Sequence, residues 1–153
     1  MSLSVGDAAP EFSLPDQDRQ VVSLTGLRGT PVLLVFYPFA FSGLCSTELC
    51  QVRDELPSFE DDNVQVIAIS VDHPYALKTW SIQEGYLFPM LSDFWPHGEV
   101  ARKYGVFNET AGMANRGTFL VDKQGIVRFA EINEPGQQRD QSAWHRAMAD
   151  LPA

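Results

Sequence analysis

The sequence predicts an α/β fold: a mixed central sheet with helices on both faces and an N-terminal β-hairpin extension. Three observations carry this. Two continuous β-branched and aromatic runs, Val32 to Tyr37 and Val64 to Val71, have the composition of strands covered on both faces. Each is followed by apolar residues at helical spacing, which makes two βα units. Two later runs, Gly117 to Asp122 and Ile126 to Ile132, are separated by Lys123-Gln124-Gly125, a tight-turn sequence.

The elements follow in order. Phe12 to Leu14 and Val21 to Leu24 flank Asp16-Gln17-Asp18-Arg19, a hairpin signal, and Gly26, Gly29 and Pro31 punctuate the next link. Pro38 ends the first core strand, since it has no N–H for a ladder. A helix is expected from Ser42 or Gly43 to about Leu56, with Leu44, Leu49, Val52 and Leu56 on one broad face, Asp54 and Glu55 in solvent, and Pro57 as its end. After the second core strand Asp72 is expected to cap a helix opened by His73 and Pro74, carrying Leu77, Trp80 and Ile82 and stopping before Gly85. Phe88 to Leu91 reads as a third strand, and Gly98 to Tyr104 as a short helix closed by Gly105. Gln141 to Leu151 is a terminal helix with Trp144, Met148 and Leu151 on one side.

The 153 residues suit one domain spanning 1–153, large enough to bury a core without disulfides or a structural metal. The net charge of −9 argues against nucleic acid and against an anionic membrane surface, both of which need a basic footprint. The start, Met1 to Asp7, has neither the basic flank nor the apolar stretch of a targeting segment, and the longest apolar run, Pro31 to Phe41, is too short to span a bilayer. A cytoplasmic location is therefore expected. There structural disulfides are rare, so Cys45 and Cys50 are either inert core residues or redox-active ones.

The chemistry-bearing stretch is Pro38 to Arg53, PFAFSGLCSTELCQVR. Cys45 follows a buried strand and sits near a helix start, where unpaired N–H groups and the helix dipole favour a thiolate. A single cysteine there is equally readable as a small buried hydrophobe. The Ser42 hydroxyl is able to donate to a thiolate or a peroxide oxygen, or to serve only as a helix cap. His73, His97 and His145 show no metal-ligand spacing, and no nucleotide fingerprint is present; no cofactor is expected.

Pro38-x-x-x-Ser42-x-x-Cys45 resembles the signature of the peroxiredoxin family, proline, three residues, threonine or serine, two residues, cysteine. Asn115 to Asp122, NRGTFLVD, resembles the segment that supplies that family's active-site arginine, and Gly6-Asp7-x-Ala9-Pro10-x-Phe12 and Leu91-Ser92-Asp93 also fit. Ser92 to Gly98 and Tyr104 to Glu109 look closest to the actinobacterial E-type alkyl hydroperoxide reductases.

The resemblance implies a thioredoxin-like fold, a homodimer, and reduction of hydrogen peroxide, organic hydroperoxides and peroxynitrite. The reductant it implies is a thioredoxin, a mycoredoxin or a low-molecular-weight thiol. Carried over residue by residue, it implies Cys45 as the attacking thiol, Arg116 as the anchor of the thiolate and peroxide, Ser42 as the group orienting the peroxide, and Pro38 as a shield. Glu48 either braces Arg116 or is a solvated helix residue.

Cys50 departs from the E-type pattern, described as one-cysteine, and resembles the resolving cysteine of Q-type, or bacterioferritin-comigratory, peroxiredoxins. Five residues of ideal helix separate Cα atoms by about 8.7 Å, beyond the roughly 7 Å limit for a disulfide, so resolution by Cys50 requires local unwinding. The alternative is direct reduction of Cys45 by an external thiol. Rival readings are a thiol–disulfide oxidoreductase, disfavoured by four residues between the cysteines where two are usual, and a peroxide sensor sharing the same first step.

Overall fold

The computed structural model describes residues 3–151; the reading of Met1 and Ser2 lies outside them. Strands β1 (Ser13–Pro15) and β2 (Val21–Ser23) pair antiparallel as the N-terminal hairpin. The central sheet contains β3 (Val32–Phe36), β4 (Gln65–Ser70), β5 (Met90–Ser92), β8 (Arg116–Val121) and β9 (Val127–Asn133), in the order β5-β4-β3-β8-β9. The β3–β4 and β4–β5 pairs are parallel; β3–β8 and β8–β9 are antiparallel. Among the described residues four α-helices pack around the sheet: α1 (Gly43–Asp61), α2 (Pro74–Glu84), α3 (Glu99–Lys103) and α4 (Gln141–Ala149). This is the thioredoxin-like arrangement, with its mixed sheet and hairpin extension.

Alternation along β3 divides the core. Leu33, Val35 and Tyr37 face Cys45, Leu49, Val52, Leu77, Trp80 and Trp144, on the side of α1, α2 and α4. Val32, Leu34 and Phe36 face Ile67, Ile69, Val100 and Tyr104, on the side of α3 and the hairpin. Burial of each such side chain stabilises the fold by roughly 1.5–3 kcal/mol.

Three local expectations differ from the structure, and one small ladder is additional to them. Helix α1 passes through Pro57 to Asp61. Pro57 is exposed, its missing N–H costs only the bond to the Arg53 carbonyl, and the extra turn buries Phe59 completely. Asp72 does not cap α2. Its Oδ2 instead accepts the Ala40 N–H at 2.8 Å and the Ser70 hydroxyl at 2.7 Å, and the cap is His73, whose Nδ1 accepts the Tyr75 N–H at 3.2 Å. Ile82 is exposed, because two residues beyond Trp80 lie about 200° round the helix; Ser81 is buried in its place. The two-residue strands β6 (Phe107–Asn108) and β7 (Met113–Ala114), a small ladder of their own, have no counterpart in the sequence reading.

Among the described residues, no helix is long and apolar enough to cross a membrane.

Candidate active site

Strand β3 delivers the site. Tyr37 closes its last ladder contact by donating to the Ile69 carbonyl at 3.1 Å, and buried Pro38 then turns the chain out of the sheet. The loop that follows is held at two points. The Ala40 N–H binds Asp72, and the Phe41 ring lies 5.8 Å from Trp80. Phe41 has φ +68°, a left-handed conformation that costs a non-glycine residue on the order of 1–3 kcal/mol and that these contacts offset.

Ser42 is the N-cap residue of α1, in extended conformation, but its side chain caps nothing. Its hydroxyl donates to the Phe39 carbonyl at 2.9 Å. The proton expected for a peroxide is therefore committed within the loop, and the oxygen lone pairs remain as acceptors.

The first intrahelical bond runs from the Ser46 N–H to the Ser42 carbonyl, so the N–H groups of Gly43, Leu44 and Cys45 precede the ladder. Cys45 is the third helical residue and has no solvent exposure. Cys45, Glu48, Leu49 and Val52 recur at three- and four-residue steps and form the buried face of α1.

Glu48 therefore points inward, where it meets two arginines. Its Oε1 accepts from Arg116 Nη1 at 2.8 Å and from Arg139 Nε at 2.9 Å, and its Oε2 accepts the Arg139 backbone N–H at 2.9 Å. The side chains of Glu48, Arg116 and Arg139 are 1%, 3% and 0% exposed. The solvated reading of Glu48 is thereby excluded.

Topology explains the meeting. Strand β8 runs antiparallel to β3, so its first residue, Arg116, comes beside the end of β3 from which the Cys45 loop departs. Gly117 follows, because a Cβ there would lie 2.6 Å from Val106 Cγ1. Arg116 Nε also donates to the Pro135 carbonyl at 2.6 Å.

Arg139 escaped the sequence reading. It precedes α4 in a polar loop and belongs to no motif, so nothing local distinguishes it from a solvated arginine. In the structure its guanidinium also reaches the carbonyls of Gly117 and Phe36 and the Thr118 hydroxyl. Burial draws the guanidinium below the usual arginine range, and Glu48 and Cys45 oppose that shift. Tyr37 is also buried nearby, its hydroxyl unpartnered among the described residues. Its pKa is pushed well up by burial, with Asp72 and Cys45 adding to the rise, so it remains a protonated donor.

Cys50 lies elsewhere. Five residues along α1 turn it about 140° from Cys45, and both thiols are free. Its Sγ is 3.6 Å from Glu84 Oε2 and 3.5 Å from Tyr86 Oη.

The AhpC/TSA family model matches residues 5–130. Alkyl hydroperoxide reductase E of Mycobacterium tuberculosis is 57% identical over 152 residues, covering 99% of both chains. Peroxiredoxin Bcp of Escherichia coli is 37% identical over 131 residues, covering 82% of this chain and 83% of the relative. Among solved structures, AhpC of Enterococcus faecalis superposes with a TM-score of 0.88 at 30% identity, covering 97% of this chain and 92% of that one. Peroxidoxin BcpB of Mycobacterium tuberculosis superposes with a TM-score of 0.84 at 29% identity, covering 96% and 95%.

Proposed function

This chain belongs to the AhpC/TSA family and is a peroxiredoxin, a thiol-dependent peroxidase; on that premise we propose that Cys45 is the thiol that attacks the peroxide. The observation that supports it best is the charge count at the buried face of α1. Two guanidiniums, Arg116 and Arg139, share one carboxylate, Glu48, leaving one positive charge in an interior where charge is costly unless paired. A thiolate at Cys45, on the same helical face and beside the open N–H groups, balances it.

In this reading the Cys45 sulfur attacks the terminal peroxide oxygen and the O–O bond breaks. The sulfur becomes a sulfenic acid, and the departing oxygen leaves as water or an alcohol once protonated. Arg116 holds the charge as it moves from sulfur to the leaving oxygen, with donors already in place. Ser42 accepts the peroxide O–H with its free lone pairs, Pro38 shields the sulfur from water, and Glu48 positions Arg116. Hydrogen peroxide and organic hydroperoxides, with peroxynitrite, are the substrates; the exposed rings of Phe39 and Phe41 give an apolar substrate a surface.

The sulfenic acid is then resolved by Cys50 as an intramolecular disulfide, which a thioredoxin, a mycoredoxin or a low-molecular-weight thiol reduces. The one-cysteine route is a second reading, favoured by the intact helix that separates the thiols. Unpaired thiols also suit a cytoplasmic setting. The exposed Phe41 and Phe94 suit a homodimer built on the loops around the site; sedimentation as a monomer at micromolar concentration refutes that assembly.

Intact mass after one equivalent of hydrogen peroxide tests the assignment in wild type, Cys45→Ser and Cys50→Ser. Wild type should lose two hydrogens, Cys50→Ser should gain one oxygen, and Cys45→Ser should stay unchanged and turn over no peroxide. Substantial turnover by Cys45→Ser overturns the reading.

A further inference from the structure

The polar groups around Cys50 are arranged about its sulfur. Glu84 is the last residue of α2, and Gly85, with φ +72°, turns the chain so that Glu84 and Tyr86 both reach Cys50 Sγ. The thiol donates to Glu84 Oε2. With the single thiol proton directed at Glu84, the Tyr86 hydroxyl is the group left to donate to the sulfur, and burial, with Cys50 and Glu84 adding to it, pushes Tyr86 far above the ordinary tyrosine range.

Arg53, three residues beyond Cys50, donates from Nη1 to the Glu84 carbonyl at 2.7 Å and lies 3.9 Å from Glu84 Oε2. The titratable and charged groups facing this cluster are Arg53 and Asp54 from α1, Glu84 and Tyr86 from the α2 end, and Tyr37 from the end of β3.

The two ends of the Cys45–Cys50 segment are thus held unequally. Cys50 is tied to α2 through Glu84, Tyr86 and Arg53. The first turn begins at Gly43, where an added Cβ would meet no atom within 4 Å, and Ser42 adds no capping bond.

We propose that Glu84 is the general base and Tyr86 the sulfur-directed donor that activate Cys50 for resolution, on a seat that stays folded while the turn carrying Cys45 unwinds to it. This rests on the reading of Cys50 as the resolving thiol and adds its proton path. The Cys50 sulfur attacks Cys45 Sγ, the S–S bond forms and the S–O bond breaks. The thiol proton passes to Glu84 and on to the departing hydroxide, which leaves as water. The sulfenic sulfur is reduced as the thiol sulfur is oxidised, so no other redox partner enters. Glu84 is neutral at the moment Cys50 carries negative charge, so the carboxylate does not repel the nucleophile.

The test follows the whole reduced protein after mixing with one equivalent of hydrogen peroxide, by stopped-flow tryptophan fluorescence and quenched intact mass. Trp80, whose ring is 5.1 Å from Tyr86, is a local reporter. Wild type, Glu84→Gln and Tyr86→Phe are compared from pH 6 to 9, a range of about three units around neutrality. Cys45 oxidation and disulfide formation are read as separate phases, so a general folding defect, which slows both, is distinguished from slowed resolution.

In Glu84→Gln the disulfide phase is expected to slow at least about tenfold relative to the oxidation phase. It should also rise more steeply with pH, because solution hydroxide must take the proton. In Tyr86→Phe it should slow severalfold. A disulfide phase in Glu84→Gln with the wild-type rate and pH profile removes the proposed base while leaving resolution by Cys50 standing. A wild type that keeps a trappable sulfenic acid and forms no disulfide overturns the resolution reading, and the role of Glu84 with it.

Discussion

Glu48 and Arg116, 68 positions apart in the chain, meet at 2.8 Å in an interior where neither side chain exceeds 3% exposure. The pair lies on the face of α1 that carries Cys45, and Arg139 closes on the same carboxylate from the loop before α4. A carboxylate between two guanidiniums holds both in place and leaves one positive charge over. Its desolvation is offset by three hydrogen bonds rather than by the ion pair alone.

Glu48→Gln should therefore destabilise the protein and slow it together. Removing one partner of a buried pair costs about 3–5 kcal/mol, and two arginines lose their common counter-charge. Urea unfolding reads the first effect and the second-order rate of Cys45 oxidation reads the second. Wild-type values for both would show that the carboxylate is not what holds Arg116.

Arg116→Lys keeps the charge and loses the fork. Lysine presents a compact ammonium that is unable to hold both Glu48 and the Pro135 carbonyl as the planar guanidinium does. Cys45 oxidation should fall by about a hundredfold or more, the scale seen when a fixed charge-stabilising donor is lost. A rate close to wild type would show that Arg116 does not touch the reacting atoms.

Oxidation should cost helix only when Cys50 is present. A Cys45–Cys50 bond is incompatible with the intact first turns of α1, and helix ends open most readily. Far-UV circular dichroism after one equivalent of peroxide should lose a small helical signal in wild type and keep it in Cys50→Ser. Equal spectra, with a sulfenic acid trapped stoichiometrically in wild type, would point to the one-cysteine route.

Asp122 should make stability sensitive to acid. Burial alone would raise its pKa, but the Ile126 N–H, the Arg128 guanidinium and the Gln124 N–H hold the carboxyl below the usual range. The folded value is thus depressed. The stabilisation is present above the unfolded value of about 4 and is lost as pH falls through the lower folded value. Asp122→Asn should be less stable near neutrality and lose less of its stability over that acid window, read by thermal unfolding against pH. Parallel pH curves for the two proteins would contradict it.

The sequence by itself determined the strands whose composition suits two-sided burial, the β8–β9 turn at Lys123 to Gly125, and the placement of Cys45 at a helix start. These depend on local composition and spacing, which the chain carries wherever it folds. Some local signals were weaker than the packing around them. Pro57 marks a helix end in sequence, yet the burial of Phe59 carries α1 past it. Asp72 has the chemistry of a helix cap, yet the Ala40 N–H and the Ser70 hydroxyl are closer partners.

Only the tertiary structure decided which charges are buried. Arg139 looks like any loop arginine until the antiparallel register of β8 and the approach of α4 bring it to Glu48, Gly117 and Phe36. Glu84 and Tyr86 become partners of Cys50 only when α2 ends against α1. A charge enters an interior when partners distant in sequence converge on it, and that convergence is a property of the packed chain.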